Sequence, residues 1–124
     1  MWRPATASSG SWEPVAIHPV PRVCENRNNE LWDRKALLDQ DKRDVDSEGA
    51  AIARTKARLD RELAQLDRSN VPAVSDYNAR SNALNDRVNA YNQRVADLNR
   101  AVALLNGDSR EMVDWCNRMY YARR

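Results

Sequence analysis

Asn70-Val71-Pro72, residues 70–72, stands midway between the chain's two cysteines: Cys24 lies 46 residues before Asn70, and Cys116 lies 46 residues after it. Long helical patterns flank the tripeptide on both sides. Pro72 suits the first turn of a helix, where its missing N–H leaves no bond unmade. Asn70 suits the end of the preceding helix, because asparagine tolerates the left-handed conformation of a cap. A chain that reverses here brings the two sulfurs together. The expectation is an all-α fold: a long antiparallel two-helix hairpin, coiled-coil-like, turning near Asn70-Pro72 and locked by a Cys24–Cys116 disulfide.

Outward from the turn, both arms keep a heptad stripe. Counting by sevens from Cys24 gives Leu31, Leu38, Val45, Ile52, Leu59 and Leu66, so the cysteine belongs to the stripe. Its companion positions (Lys35, Lys42, Gly49, Lys56) are mostly not apolar until Leu63. The second arm is stronger. Val74, Tyr77, Ser81, Leu84, Val88, Tyr91, Val95, Leu98, Val102, Leu105, Ser109, Met112, Cys116 and Met119 alternate steps of three and four, the spacing of a coiled-coil seam. This pattern assigns 24–69 to a first helix and 72–122 to a second, within a hairpin domain 24–124. Residues 1–23 form a Pro/Ser-rich, extended N-terminal tail. Each arm of about 45 residues would span roughly 65–70 Å. A bridge closing so long a loop would stabilise the fold by about 4 kcal/mol in the chain-entropy model.

Two glycines interrupt the arms. Gly49 follows Asp46-Ser47-Glu48, and Gly107 follows Asn106 ahead of Asp108 and Glu111, which could form a capping box. The stripe nevertheless keeps phase from Leu105 to Met112. Continuous helices are expected at both, each glycine costing about 1 kcal/mol.

Charge and composition narrow the function classes. The 20 Lys and Arg nearly balance 18 Asp and Glu, for a net charge of +2. That balance disfavours a dedicated nucleic-acid binder. With 42% hydrophobic residues, 31% charged and no Phe, the chain can build a narrow seam but not a thick core. No apolar run reaches the roughly 18–20 residues that cross a bilayer, and no signal-peptide core follows Met1. The paired cysteines point to an oxidising compartment. The expected location is therefore periplasmic or secreted, with a signal already removed; the alternative is cytoplasmic, with reduced cysteines.

Beside the second seam runs a polar repeat. Asn78, Asn85, Asn92, Asn99 and Asn106 recur every seven residues, each directly after a seam residue, while Arg80, Arg87 and Arg94 form a parallel register. Asparagine is a poor helix former, so five in register are not expected as neutral filler, although tandem duplication of a heptad would equally produce them. Such a ladder could hydrogen-bond a partner, or bond across the hairpin to the first arm. Tyr77-Asn78, Leu84-Asn85, Tyr91-Asn92 and Leu98-Asn99, followed by Cys116-Asn117-Arg118-Met119-Tyr120, resemble a pattern in uncharacterised bacterial envelope proteins with Tyr-Asn heptads and a Cys-x-Arg-x-Tyr-like end. The resemblance covers about 45 residues, implies export and a helical scaffold role, and transfers no catalytic residue.

Catalytic signatures are missing from the sequence. His18 is the single histidine and lies in the proline-bounded tail; no Cys/His spacing suits zinc, and no Gly-rich loop suits phosphate. The expectation is a non-enzyme without cofactor. Arg118 to Arg124 mixes cations with Tyr120 and Tyr121. The cations suit a helix C-terminus, and the tyrosines are expected to cluster with Trp32, Trp115 and a folded-back Trp12. The candidate interaction surface comprises Asn78, Arg80, Asn85, Arg87, Asn92, Arg94, Asn99, Trp32, Trp115, Tyr120 and Tyr121. Apolar residues outside the stripes (Leu37, Val113, Leu104, Trp32) suggest further contact, with a second hairpin in a four-helix bundle or with another protein. The leading expectation is a protein-binding module of the bacterial cell envelope, either an immunity or inhibitor type that meets an exported toxin, or an adaptor or assembly component. The alternative is a cytosolic coiled-coil structural or nucleic-acid-associated protein.

Overall fold

The computed structural model describes the backbone of residues 22–122 and the side chains of residues 22–118. Two α-helices pack against each other: α1, Arg22–Ala64, and α2, Val71–Ala122. Both are continuous through their glycines, Gly49 and Gly107. Cys24 and Cys116 form the expected disulfide, with their Cα atoms 6.0 Å apart, inside the usual range for such a bridge. No described helix is long and apolar enough to cross a membrane.

The reversal differs from the expectation in detail. α1 ends at Ala64 rather than at 69, and its last bonds tighten to three-residue steps: Gln65 N–H donates to Glu62 O (3.1 Å) and Leu66 N–H to Leu63 O (3.3 Å). Asp67 then takes over the chain. Its carboxylate accepts the Ser69 N–H at 3.0 Å and the Ser69 hydroxyl at 2.6 Å, while its carbonyl accepts the Asn70 N–H at 3.0 Å. A short polar side chain that bonds its own downstream backbone competes with helix. Asn70 does not cap the end of α1. It is the N-cap of α2, its Oδ1 accepting the Ala73 N–H at 3.2 Å and its carbonyl the Val74 N–H. Pro72 falls in the first turn, as its chemistry requires.

The helices divide into two compact units, one of residues up to Lys42 with those from Leu98 onward, the other Arg43–Asp97. The first holds the main core. Cys24, Leu31, Leu105, Met112 and Cys116 are buried together, with Trp32, Leu38 and Trp115 packed against them. Two polar residues are enclosed in the same unit: Asn28 at 5% exposure and Ser109 at 0%. Asn28 Oδ1 and Ser109 Oγ have no hydrogen-bond partner. Asn28 occupies the companion seam position four residues after Cys24.

In the second unit the seam is thinner. Val45 and Leu59 are buried, while Ile52, Val88, Tyr91 and Val95 are half-buried. Here Gly49 acquires a role that its sequence context concealed. A Cβ at Gly49 would lie 2.9 Å from Tyr91 Oη, 3.2 Å from Cζ and 3.3 Å from Cε2. The missing side chain makes room for the tyrosine ring. Every described stripe residue of both arms is buried or half-buried. Met119 falls outside the described side chains.

Candidate interaction surface

Helix geometry sorts the polar residues into two flanks. On either helix, a residue just before a seam position lies to one side of the seam, and a residue just after it lies to the other. Because the helices are antiparallel, the residues just before the seam on both helices share a flank.

Three ion pairs between the helices show which flank is closed. In the unit Arg43–Asp97, Arg87 grips Glu48 through two guanidinium nitrogens, Nε to Oε1 and Nη2 to Oε2, the latter at 3.2 Å. Arg80 Nη1 meets Glu62 Oε2 at 2.5 Å, and Arg80 Nε bonds Asp76 one turn earlier at 3.0 Å. In the other unit, Arg34 Nη1 bonds Asp108 Oδ2 at 2.7 Å. All six interhelical partners precede a seam position. Hydrogen bonding from Arg87, helped by the charges of Arg87 and Arg94, holds the Glu48 carboxyl below its ordinary value against the opposing effect of desolvation. The guanidiniums of Arg80 and Arg87 are raised in turn, mainly by the hydrogen bonds they donate to Glu62 and Glu48 respectively. These side chains are partly exposed, so solvent screens the pairs and they add little to stability.

The asparagine ladder stands on the opposite flank. Asn78, Asn85 and Asn92 are exposed in the unit Arg43–Asp97, and Asn99 is exposed in the other, where Asn106 is half-buried. The bonds across the hairpin are thus made by the arginine register rather than the asparagine register. On α1 the positions following the seam carry acids: Asp46 and Asp60 share the flank of Asn78, Asn85 and Asn92. Asp60 also pairs with Lys56 of its own helix at 3.5 Å. This face offers amide donors and a surplus of oxygen acceptors, a surface suited to a polar, basic partner. The acidic half was not singled out in the sequence, where Asp39, Asp46 and Asp60 blend into a mixed-charge arm. Their heptad spacing was the available signal.

Trp32 and Trp115 are half-buried against the core at the disulfide end. The Arg27 guanidinium sits over the Trp115 ring, 5.0 Å from its centroid, close enough for a cation–π contact. Arg94 is exposed and acts on Glu48 only through its charge. Tyr120, Tyr121 and Trp12 lie outside the described side chains, and with them the expected aromatic cluster. Val113 is half-buried, whereas Leu37 and Leu104 are 68% and 64% exposed. Among the described residues, no three His, Cys, Asp or Glu side chains gather as a metal would require.

Comparison with known protein families, curated proteins and solved structures finds no match to this chain. The functional reading therefore rests on its own residues.

Proposed function

We propose that this chain is a non-enzymatic protein-binding module of the bacterial cell envelope, of the immunity or inhibitor type or an adaptor or assembly component. It works in the periplasm or outside the cell and engages another exported protein through its helical faces. The Cys24–Cys116 bridge carries this reading. A disulfide persists in oxidising compartments, and this one ties the first turn of α1 to the last turns of α2. A thin helical pair gains much from such a tie, since its seam is only half-buried over much of its course.

The surface supports a recognition role. Arg80 and Arg87 are engaged with Glu62 and Glu48, so phosphate binding by these arginines would first have to break those pairs. That disfavours the nucleic-acid alternative. The exposed asparagines and their neighbouring aspartates remain available to a partner.

Intact mass after thiol alkylation, on protein harvested from the cells that make it, tests the compartment. The expected species takes no label until it is reduced and then takes two. A photo-crosslinker placed at Asn85 tests the face and is expected to trap one exported protein. Immediate labelling of both thiols would sink the envelope reading, and crosslinks only to cytosolic proteins or nucleic acid would sink the partner class.

A further inference from the structure

The disulfide-end unit encloses polar groups that it leaves without partners. Asn28 is 5% exposed and Ser109 0%, and neither Asn28 Oδ1 nor Ser109 Oγ has a hydrogen-bond partner among the described residues. Lys35, on the same companion stripe of α1 as Asn28, keeps only 12% of its side chain exposed and bonds Asp39 of its own helix at 2.8 Å. Closing this unit strips water from groups that receive no bond in return, which opposes the burial of Leu31, Leu105 and Met112. The unit Arg43–Asp97 differs. Its enclosed Glu62 Oε2 meets Arg80 Nη1 at 2.5 Å, and Arg87 holds Glu48 across the helices. Its arms are joined through residues 65–70, a short loop that costs little entropy to close.

We propose that the disulfide-end unit is a redox latch: it stays closed while Cys24 and Cys116 are joined and opens when they are reduced, leaving the unit Arg43–Asp97 folded. The bond offsets the enclosed Asn28 and Ser109 by keeping the two helix ends from separating. Without it, the ends farthest from the turn part first, as local opening begins where contacts are least supported. Reduction needs a dithiol, whose two sulfurs join in a disulfide as Cys24 and Cys116 take up two electrons and two protons. Cys24 is 1% exposed and Cys116 7%, so an attacking thiolate reaches neither sulfur until the helix ends part. Opening and reduction thus promote one another. The opened unit presents Leu31, Leu105 and Met112 to solvent, an apolar surface that the oxidised chain keeps buried. Opening on reduction belongs to the folded chain in any compartment and does not rest on the envelope reading.

The two enclosed groups set how readily the reduced unit opens. Leaving one buried polar group unpaired favours the open form by about tenfold, and two act together by about a hundredfold. Removing them should therefore keep the unit closed without its disulfide.

Amide hydrogen exchange read by mass spectrometry provides the test, on the full-length chain oxidised and with its thiols held reduced by dithiothreitol. On reduction, the protection of residues 24–38 and 102–116 should fall at least about a hundredfold, while that of 45–59 and 77–95 changes less than about tenfold. Ser109→Ala removes one enclosed oxygen and cannot overpack; in the reduced chain it should restore protection of this unit about tenfold, and Asn28→Leu with Ser109→Ala about a hundredfold. Asn29→Ala, at the exposed neighbour of Asn28, gains helix propensity alone and should restore about threefold at most. Protection undiminished by reduction would overturn the proposal, as would an equal loss through both units. So would Asn29→Ala restoring as much as Ser109→Ala, an outcome that assigns the opening to helix propensity rather than to the enclosed groups. All of these are read on purified chain in a set redox state, so failure here leaves the envelope reading to its own test.

Discussion

Replacing each of two helical glycines by alanine should change stability in opposite directions. Both gain intrinsic helix propensity, about 1 kcal/mol in a helix interior. At Gly107 nothing lies within 4 Å of the added Cβ, so Gly107→Ala should keep most of that gain and stabilise by about 0.5–1 kcal/mol. At Gly49 the new Cβ would meet the Tyr91 ring at 2.9 to 3.3 Å. Two ring carbons are involved besides the hydroxyl oxygen, so rotation of the hydroxyl does not relieve the contact. Overpacking of this kind costs about 1–3 kcal/mol. The net effect of Gly49→Ala should be a destabilisation of about 1 kcal/mol, leaving the two variants about 2 kcal/mol apart. For a domain of this size that gap is on the order of 10 °C in Tm. Thermal and urea melts followed by circular dichroism, with the disulfide intact and at one protein concentration, would read it. A third variant isolates the cause: in a Tyr91→Ala background, Gly49→Ala should become stabilising by about the propensity gain. Equal stabilisation by both alanines in the otherwise unchanged chain would refute the packing of Tyr91 on Gly49, and so the register in that unit.

Other expectations follow from single contacts. The Glu48 carboxyl is held below its ordinary value of 4.5, chiefly by the Arg87 hydrogen bond. A lowered acid contributes stability that is present above its unfolded value and lost as the pH falls through its folded value; carbon-detected NMR titration should find Glu48 below its ordinary value of 4.5 and moved back toward it by Arg87→Ala. That same substitution should leave the melting temperature nearly unchanged, since the pair is partly exposed and screened by solvent, whereas Tyr91→Ala in the half-buried seam should cost about 2–3 kcal/mol; similar melting shifts from both would contradict the seam. Asn70→Ala removes the Ala73 N–H acceptor and should cost about 1 kcal/mol, while Asn70→Gly should cost only a few tenths; a large loss from glycine would mean that Asn70 acts through something other than the cap.

The seam was legible because heptad spacing is a one-dimensional property. Each residue seven places on returns to nearly the same side of a helix, so the buried side of both arms could be read from Cys24, Leu31, Val45, Leu105 and Met112 without knowing what they face. The turn was legible as a place but not as a structure. Whether Asn70 ends one helix or begins the next depends on which backbone groups are left over, and Asp67, by binding Ser69, had already ended the first. The candidate surface was legible only as two parallel ladders. Asparagine and arginine both stand beside the seam, and the sequence holds no mark that distinguishes the ladder that closes from the ladder that stays open.

The amino-acid sequence by itself determined that this chain makes two helices, reverses near residue 70 and joins its cysteines, because those outcomes depend on local periodicity, turn chemistry and a symmetric spacing. Tertiary structure alone decided that Gly49 makes way for Tyr91, that Asn28 and Ser109 are enclosed, and that Arg80 and Arg87 pair with glutamates while the asparagines face outward. Those outcomes depend on the register and flank at which one helix meets the other. A shift of a single residue along either helix would rotate its ladders by about 100° and exchange every one of those partners while leaving the heptad pattern of the sequence intact.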